Sequence, residues 1–282
     1  MAEKKHNLVS QGVTMMAFGK PVFFDFAFNM ALSLRMHSPN LKIQLIHDNY
    51  INELGDKSRI FDVLTPIENA DFSDGKKLQA GKGKLSMYKY LAFDETIFLD
   101  VDGVLLQDIT PLFEQDVDFK VQQDALHWVE SQEFLREKYQ LTSDVYGSNS
   151  SIMFIRKCER VEKLFSDALT AMADPVKDMD KSWFNMQPDE LYLGISLAKN
   201  DFFDVYFNPI YPVYFRRRID YKRPDTLQSV REKHFVVGVY GNKKYNHAFS
   251  YQLYNQENEK NWRKFIGISA RQKVDKLMRT KR

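Results

Sequence analysis

Ile97-Phe98-Leu99-Asp100-Val101-Asp102-Gly103-Val104-Leu105-Leu106 is a hydrophobic run that delivers two carboxylates one residue apart. A short apolar run broken by Asp and Gly reads as a buried strand that ends in a turn. An Asp-x-Asp (DxD) pair at a strand end suits Mg²⁺ or Mn²⁺, hard cations that take oxygen ligands and often bridge a carboxylate to substrate phosphates. A diphosphate leaving group needs that neutralisation. A surface turn with two capping Asp residues would account for neither the apolar run nor its neighbours.

Working upstream, Val9 to Phe18 reads as a strand, and Gly19-Lys20-Pro21 turns the chain. Val22, Phe26, Met30 and Leu34 form an apolar stripe at helical spacing that ends before Pro39. Leu41 to His47 is a second strand and Phe61 to Leu64 a third. The region of Gly75, Gly81 and Gly83 reads as a loop opening into a helix over Lys84 to Leu91. Downstream, strands are expected at Asp118 to Gln122, Ser151 to Ile155 and His234 to Val239, with helices at Glu159 to Met172 and Asp189 to Lys199. This alternation predicts an α/β fold with a mixed, mostly parallel sheet flanked by helices. Ligands of such folds gather at the carboxyl ends of the strands, which is where Asp100 stands.

The 282 residues are 44% hydrophobic with 22 Phe, enough for a large core, and global disorder is excluded. We expect one catalytic domain over residues 1–255 and a basic helical tail over 256–282. No apolar run reaches the roughly 20 residues that span a bilayer. The start, Met1 to Asn7, is polar and lacks the apolar core of a secretory signal, so a cytoplasmic location is expected. Cys158 is the single cysteine and has no partner for an internal disulfide. The net charge of +2 is unevenly spread: residues 261–282 carry eight Lys or Arg against Asp275, so the rest of the chain is net acidic. A basic tail with interspersed apolar residues suits contact with a polyanion, either a membrane surface or nucleic acid; a merely solvated helix is the plain alternative.

Four segments resemble, in order, the glycosyltransferases of family eight, the glycogenin and bacterial galactosyltransferase group. Lys84-Leu85 opens a helix ahead of Tyr88, Tyr90 and the strand to Asp100. Phe98 to Asp102 is followed by Val104-Leu105-Leu106-Gln107-Asp108-Ile109 and Leu112-Phe113. Asn149-Ser150-Ser151-Ile152-Met153-Phe154 is similar to the family's Asn-Ser-Gly strand start. Pro188-Asp189-Glu190-Leu191 stands where the family has Asp-Gln at a helix start. A fifth segment, His234-Phe235-Val236-Val237-Gly238 with Lys243 and Lys244, resembles a family motif of His, Gly and Lys at stretched spacing. Ser151 replaces the family's Gly, and Glu190 its Gln.

The resemblance implies a GT-A fold and a metal-dependent glycosyltransferase that moves a hexose from a nucleotide-diphosphate sugar, a UDP-sugar, with retention. It implies a metal, Mn²⁺ or Mg²⁺, on Asp100, Asp102 and His234. Donor contacts would come from Lys84, Asp100, Asp102, Asn149, Ser150, Gly238 and Lys243, with Asp189 and Glu190 as the catalytic carboxylates. The acceptor is open among a glycan or lipid-linked sugar, a protein and a modified nucleic-acid base. Phe202-Phe203, Tyr206-Phe207 and Tyr211 to Phe215, followed by Arg216-Arg217-Arg218, are candidates for an acceptor wall.

Two rival functions share these residues. In haloacid-dehalogenase-like phosphohydrolases a strand also ends in Asp-x-Asp-Gly, and Asp100 would be the nucleophile. That motif normally opens its core, whereas about a hundred residues with strand and helix patterns precede Asp100. The later acidic motif is represented only by Asp174, Asp178 and Asp180, with no apolar strand before them. The second rival is a non-catalytic nucleotide-sugar binding protein on a degenerate transferase scaffold.

Overall fold

The computed structural model describes residues 10–73, 79–124, 131–174, 188–208, 212–214, 227–239 and 252–266. Its main sheet has six strands: β1 (Gln11–Ala17), β2 (Lys42–His47), β3 (Val63–Pro66), β4 (Glu95–Leu99), β6 (Phe119–Gln123) and β7 (Ser148–Arg156). Their order across the sheet is β3-β2-β1-β4-β7-β6. Strands β1 to β4 run parallel to one another, while β7 is antiparallel to both β4 and β6. A smaller sheet joins β5 (Gly103–Leu105), β9 (Val236–Gly238) and β8 (Val213–Tyr214) in that order.

The helices are α1 (Pro21–His37), the single turn α2 (Asn69–Phe72), α3 (Ala80–Ser86), α4 (Gln132–Tyr139), α5 (Glu159–Ala173), α6 (Asp189–Lys199), α7 (Leu227–Lys233) and α8 (252–266). Helix α1 begins with Pro at its first position, where the missing N–H costs nothing, and it ends in Arg35 and His37, which suit its carbonyl end. The main sheet is buried on both faces. Val13, Met15, Ile97 and Leu99 point to the α1 side, while Phe98, Met153 and Ile155 point to the side covered by α3, α5 and α6. All five residues of β4 are buried, and its last three, Ile97, Phe98 and Leu99, supply the apolar run that leads into Asp100.

The structure departs from the expected elements in several places. Gly81 and Gly83 are not in a loop but inside α3, and Lys84 lies in its last turn. A Cβ on Gly83 would sit 2.4 Å from Phe72 and 3.0 Å from Phe18, so glycine is there to let the helix close onto two rings. Strand β9 is shorter than expected, leaving His234 and Phe235 ahead of it. Helix α8 crosses the expected boundary at residue 255 and packs Trp262 against Phe28 of α1, with ring centroids 5.2 Å apart and a 3.1 Å bond from its indole N–H to Asn29. The tail beyond residue 266 lies outside the described residues. Among the described residues, no helix is long and apolar enough to cross a membrane.

Candidate active site

The chain leaves β1 toward β2 and β3 on one side and returns to β4 on the other. The carboxyl ends of β1 and β4 therefore flank the point where the winding direction reverses, the crevice in which open α/β sheets bind ligands. Asp100 follows directly on Leu99, the last residue of β4. Because side chains alternate along a strand, Asp100 shares the face of Phe98, toward α3 and α6. There it meets Lys84, whose Nζ also lies 5.5 Å from the centre of the Phe98 ring.

Lys84 Nζ is 2.9 Å from Asp100 Oδ1 and 3.1 Å from Oδ2, so one ammonium engages both oxygens of the carboxylate. The same Nζ donates to Ser150 Oγ at 3.0 Å and lies 3.7 Å from Asp189 Oδ2. Ser150 Oγ in turn donates to Asp189 Oδ2 at 2.5 Å. Four elements thus supply one buried polar network: α3, the end of β4, β7 and the start of α6. Ser150 reaches it because the β6–β7 ladder jumps from Val121↔Met153 to Gln122↔Asn149, a bulge that frees Ser150 to Ile152 from regular pairing with β6.

Burial dominates the electrostatics. It pushes the Asp100 carboxyl up, against the pull of Lys84. The Lys84 ammonium is opposed by burial, yet the Asp100 and Asp189 carboxylates overcome that and hold it firmly protonated. Glu190 is raised to about 8, first by burial and then by the Asp189 charge beside it. Asp189 sits in the first turn of α6 without capping it in the usual way; its carboxylate is spent on Ser150 and Lys84.

The other expected residues are placed as follows. Asp102 lies in the turn between β4 and β5, and its carbonyl accepts from Val239 N at 2.7 Å. Asp100, Asp102, Gly103, Ser151 and Gly238 line one cavity of about 10 Å³, the scale of a single water. Gly238 pairs with Gly103 across β5 and β9, which brings its backbone close to the acidic pair. Asn149 is turned onto its own strand, where its Oδ1 accepts from Ser151 N at 3.1 Å and from the Ser151 hydroxyl. Lys243 and Lys244 lie outside the described residues.

His234 lies ahead of β9, between α7 and the strand. The antiparallel register sets Gly238 against Gly103 and Val236 against Leu105, so earlier residues of this segment lie progressively farther from Asp102. Gln107 bonds the His234 carbonyl at 3.0 Å, and the imidazole packs edge-on against Tyr214. The three residues of β9 lie between His234, which precedes the strand, and Val239, whose N–H bonds the Asp102 carbonyl. The His-to-Gly spacing of the motif carries no information about register, and the register decides. Among the described residues, no three His, Cys, Asp or Glu side chains gather to hold an ion. Two carboxylates remain, Asp100 and Asp102, and this donor set fits Mg²⁺ or Mn²⁺, which are commonly held by one or two carboxylates with substrate oxygens completing the shell. Phe202 and Phe207, expected in an acceptor wall, are core residues at 3% and 1% exposure, while Phe203 is exposed. Ser151, which stands where the resemblance has Gly, also lines the site.

A family profile described as nucleotide-diphospho-sugar transferase matches residues 95–237, just over half of the chain and the stretch that carries the network from β4 to α6. The chain belongs to that family. It is a glycosyltransferase with a GT-A fold resembling family eight. No curated protein sequence matches the chain. Among solved structures, an active-site mutant of LgtC is similar with a TM-score of 0.57 and 14% identity over 88% of this chain and 95% of that one. The bifunctional glycosyltransferase WbbM is similar at 0.54 and 12% over 89% of this chain and 49% of that one. Mouse xyloside xylosyltransferase 1 is similar at 0.50 and 14% over 85% and 100%. At these identities the likeness establishes the fold of this nucleotide-diphospho-sugar transferase, and its chemistry has to be argued from its own residues.

Proposed function

We propose that this transferase binds a UDP-sugar across the carboxyl ends of β1 and β4, with Asp100 and Asp102 holding Mg²⁺ or Mn²⁺ on the diphosphate, and transfers a hexose with retention. The observation that carries this reading is the position of the acidic pair at the reversal of strand order, with Lys84 bonded to it. Bound there, the metal supplies a positive charge for the departing nucleoside diphosphate.

Lys84 contributes a second positive charge, protonated throughout the working range, from its place beside Asp100 and the Phe98 ring. Groups oriented beforehand toward charge that grows on a leaving group lower the barrier more than any other single effect in many transfers. Asp189 acts as a positioning residue: Ser150 and Lys84 fix its carboxylate, and through it the start of α6. Glu190, with its pKa raised to about 8, stays protonated near neutrality and donates a hydrogen bond to the sugar. A protonated acid is no general base, which favours retention over an inverting attack that requires one. Lys243, beyond the described residues, would add charge at the diphosphate, and the basic tail would bring the enzyme to a polyanion carrying or surrounding its acceptor.

The experiment is a panel of UDP-glucose, UDP-galactose and other nucleotide sugars, each with Mn²⁺, read by melting temperature. A ligand that binds the folded state alone stabilises it, by about 2.7 kcal/mol at a hundred times its Kd. One donor should raise the melting temperature in a Mn²⁺-dependent way; no donor doing so would sink the proposal. Aryl phosphate cleavage with phosphorylation of Asp100 would favour the phosphohydrolase instead.

A further inference from the structure

Both oxygens of Asp100 are already occupied by a cation, the ammonium of Lys84. We propose that Lys84 is the resident cation of the acidic pair, so that a divalent metal binds this chain well only when a nucleotide diphosphate draws Lys84 away from Asp100. The inference rests on the metal reading above and extends it to the order in which the site fills.

Three observations support it. Lys84 Nζ touches Asp100, Ser150 Oγ and Asp189 at 2.9 to 3.7 Å, a set of partners that a solvated surface lysine does not gather. The side chain is 12% exposed, so the ammonium has exchanged water for these partners and stays with them until another anion is offered. His234 precedes β9 by two residues, beyond the Leu105↔Val236 end of the ladder, and the residue paired with Gly103, next to Asp102, is Gly238, which has no side chain to offer. A metal entering the nucleotide-free chain must therefore compete with an ammonium for one of its two carboxylates. A diphosphate changes both sides of that competition: it offers oxygen ligands to the metal and an anion to the lysine, whose four-carbon stem lets the charge move while the backbone stays. Coupling between two ligands is reciprocal, so the metal must strengthen nucleotide binding by the same factor.

The test uses Mn²⁺, whose free-ion signal in electron paramagnetic resonance falls on binding, with UDP as the nucleotide. The intact chain, Lys84→Met and Lys84→Gln are each titrated with and without UDP, after their folding is checked by circular dichroism. Without UDP, both variants should bind Mn²⁺ about tenfold more tightly than the unmodified chain, a size typical of such coupling. With UDP that advantage should vanish or reverse. A tightening of equal size in both conditions would mean simple charge removal and would overturn the inference, as would equal binding without UDP. No Mn²⁺ binding under any condition would bring down the metal reading itself, a separate and recognisable failure. Should the variants not fold, the ¹⁵N shift of the Lys84 ammonium in the unmodified chain decides: it should respond to Mg²⁺ only when UDP is present, and a response to Mg²⁺ alone overturns the inference.

Discussion

Ser150 Oγ, freed by the bulge in β7, donates a 2.5 Å hydrogen bond to Asp189 Oδ2 in the first turn of α6. This bond ties the sheet to the helix that carries both candidate catalytic carboxylates. Removing it with Ser150→Ala leaves a buried carboxylate short of a partner, which costs on the order of 1 to 3 kcal/mol. Donor turnover should fall about tenfold or more, as misplacement of a reacting group does. Urea denaturation and steady-state kinetics check the two halves separately.

Gly194 stands in the middle of α6, where Ala would ordinarily stabilise a helix by about 1 kcal/mol. Here the sign should reverse. A Cβ at this position would lie 2.3 Å from the carbonyl oxygen of Tyr146, a backbone atom that cannot swing aside. Gly194→Ala should therefore destabilise the chain by about 1 to 3 kcal/mol, the usual cost of overpacking. Because α6 must shift to relieve the clash, turnover should drop as well. A stabilised variant would show that α6 sits farther from the Tyr146 backbone.

Glu190 gives the fold a pH dependence. Its pKa in the folded chain, raised to about 8, lies above the unfolded value of 4.5, so the native chain holds a proton that the unfolded chain releases first. The contribution of this proton to stability is complete below about 4.5 and is lost as pH rises through about 8. Glu190→Gln removes the titration, so the difference in stability between variant and unmodified chain should grow in favour of Gln from pH 5 to 8. Chemical denaturation across that range measures it. Activity of the unmodified chain should decline above about pH 8 as the hydrogen bond donor is lost.

Much of the fold is legible from residue order alone. Helix α6 begins and ends at the expected residues, Asp189 and Lys199, and α5 is one residue longer than expected, because apolar periodicity and strong terminal signals coincide there. The strand into Asp100 is legible for the same reason. Strands β5 and β8, of three and two residues, are too short to show a period, and they exist only through pairing with the distant β9. Local propensity marks Gly83 as a helix breaker, whereas packing against Phe72 decides its state. The position of His234 escapes a motif reading because a motif gives order along the chain and not register across strands. The Lys84, Ser150 and Asp189 network joins residues far apart in sequence, which no local pattern reports.

The role of the acidic pair is tested most directly by Asp102→Asn. Its backbone carbonyl keeps the bond from Val239 N, so the fold and melting temperature should change little, by about 0.5 kcal/mol or less. Mn²⁺-dependent hydrolysis of the UDP-sugar that stabilises the unmodified chain should fall at least about 100-fold, the scale on which lost electrostatic stabilisation of a transition state is felt. A folded Asp102→Asn variant that turns over the same donor at the unmodified rate would contradict the reading of Asp100 and Asp102 as the metal and diphosphate site.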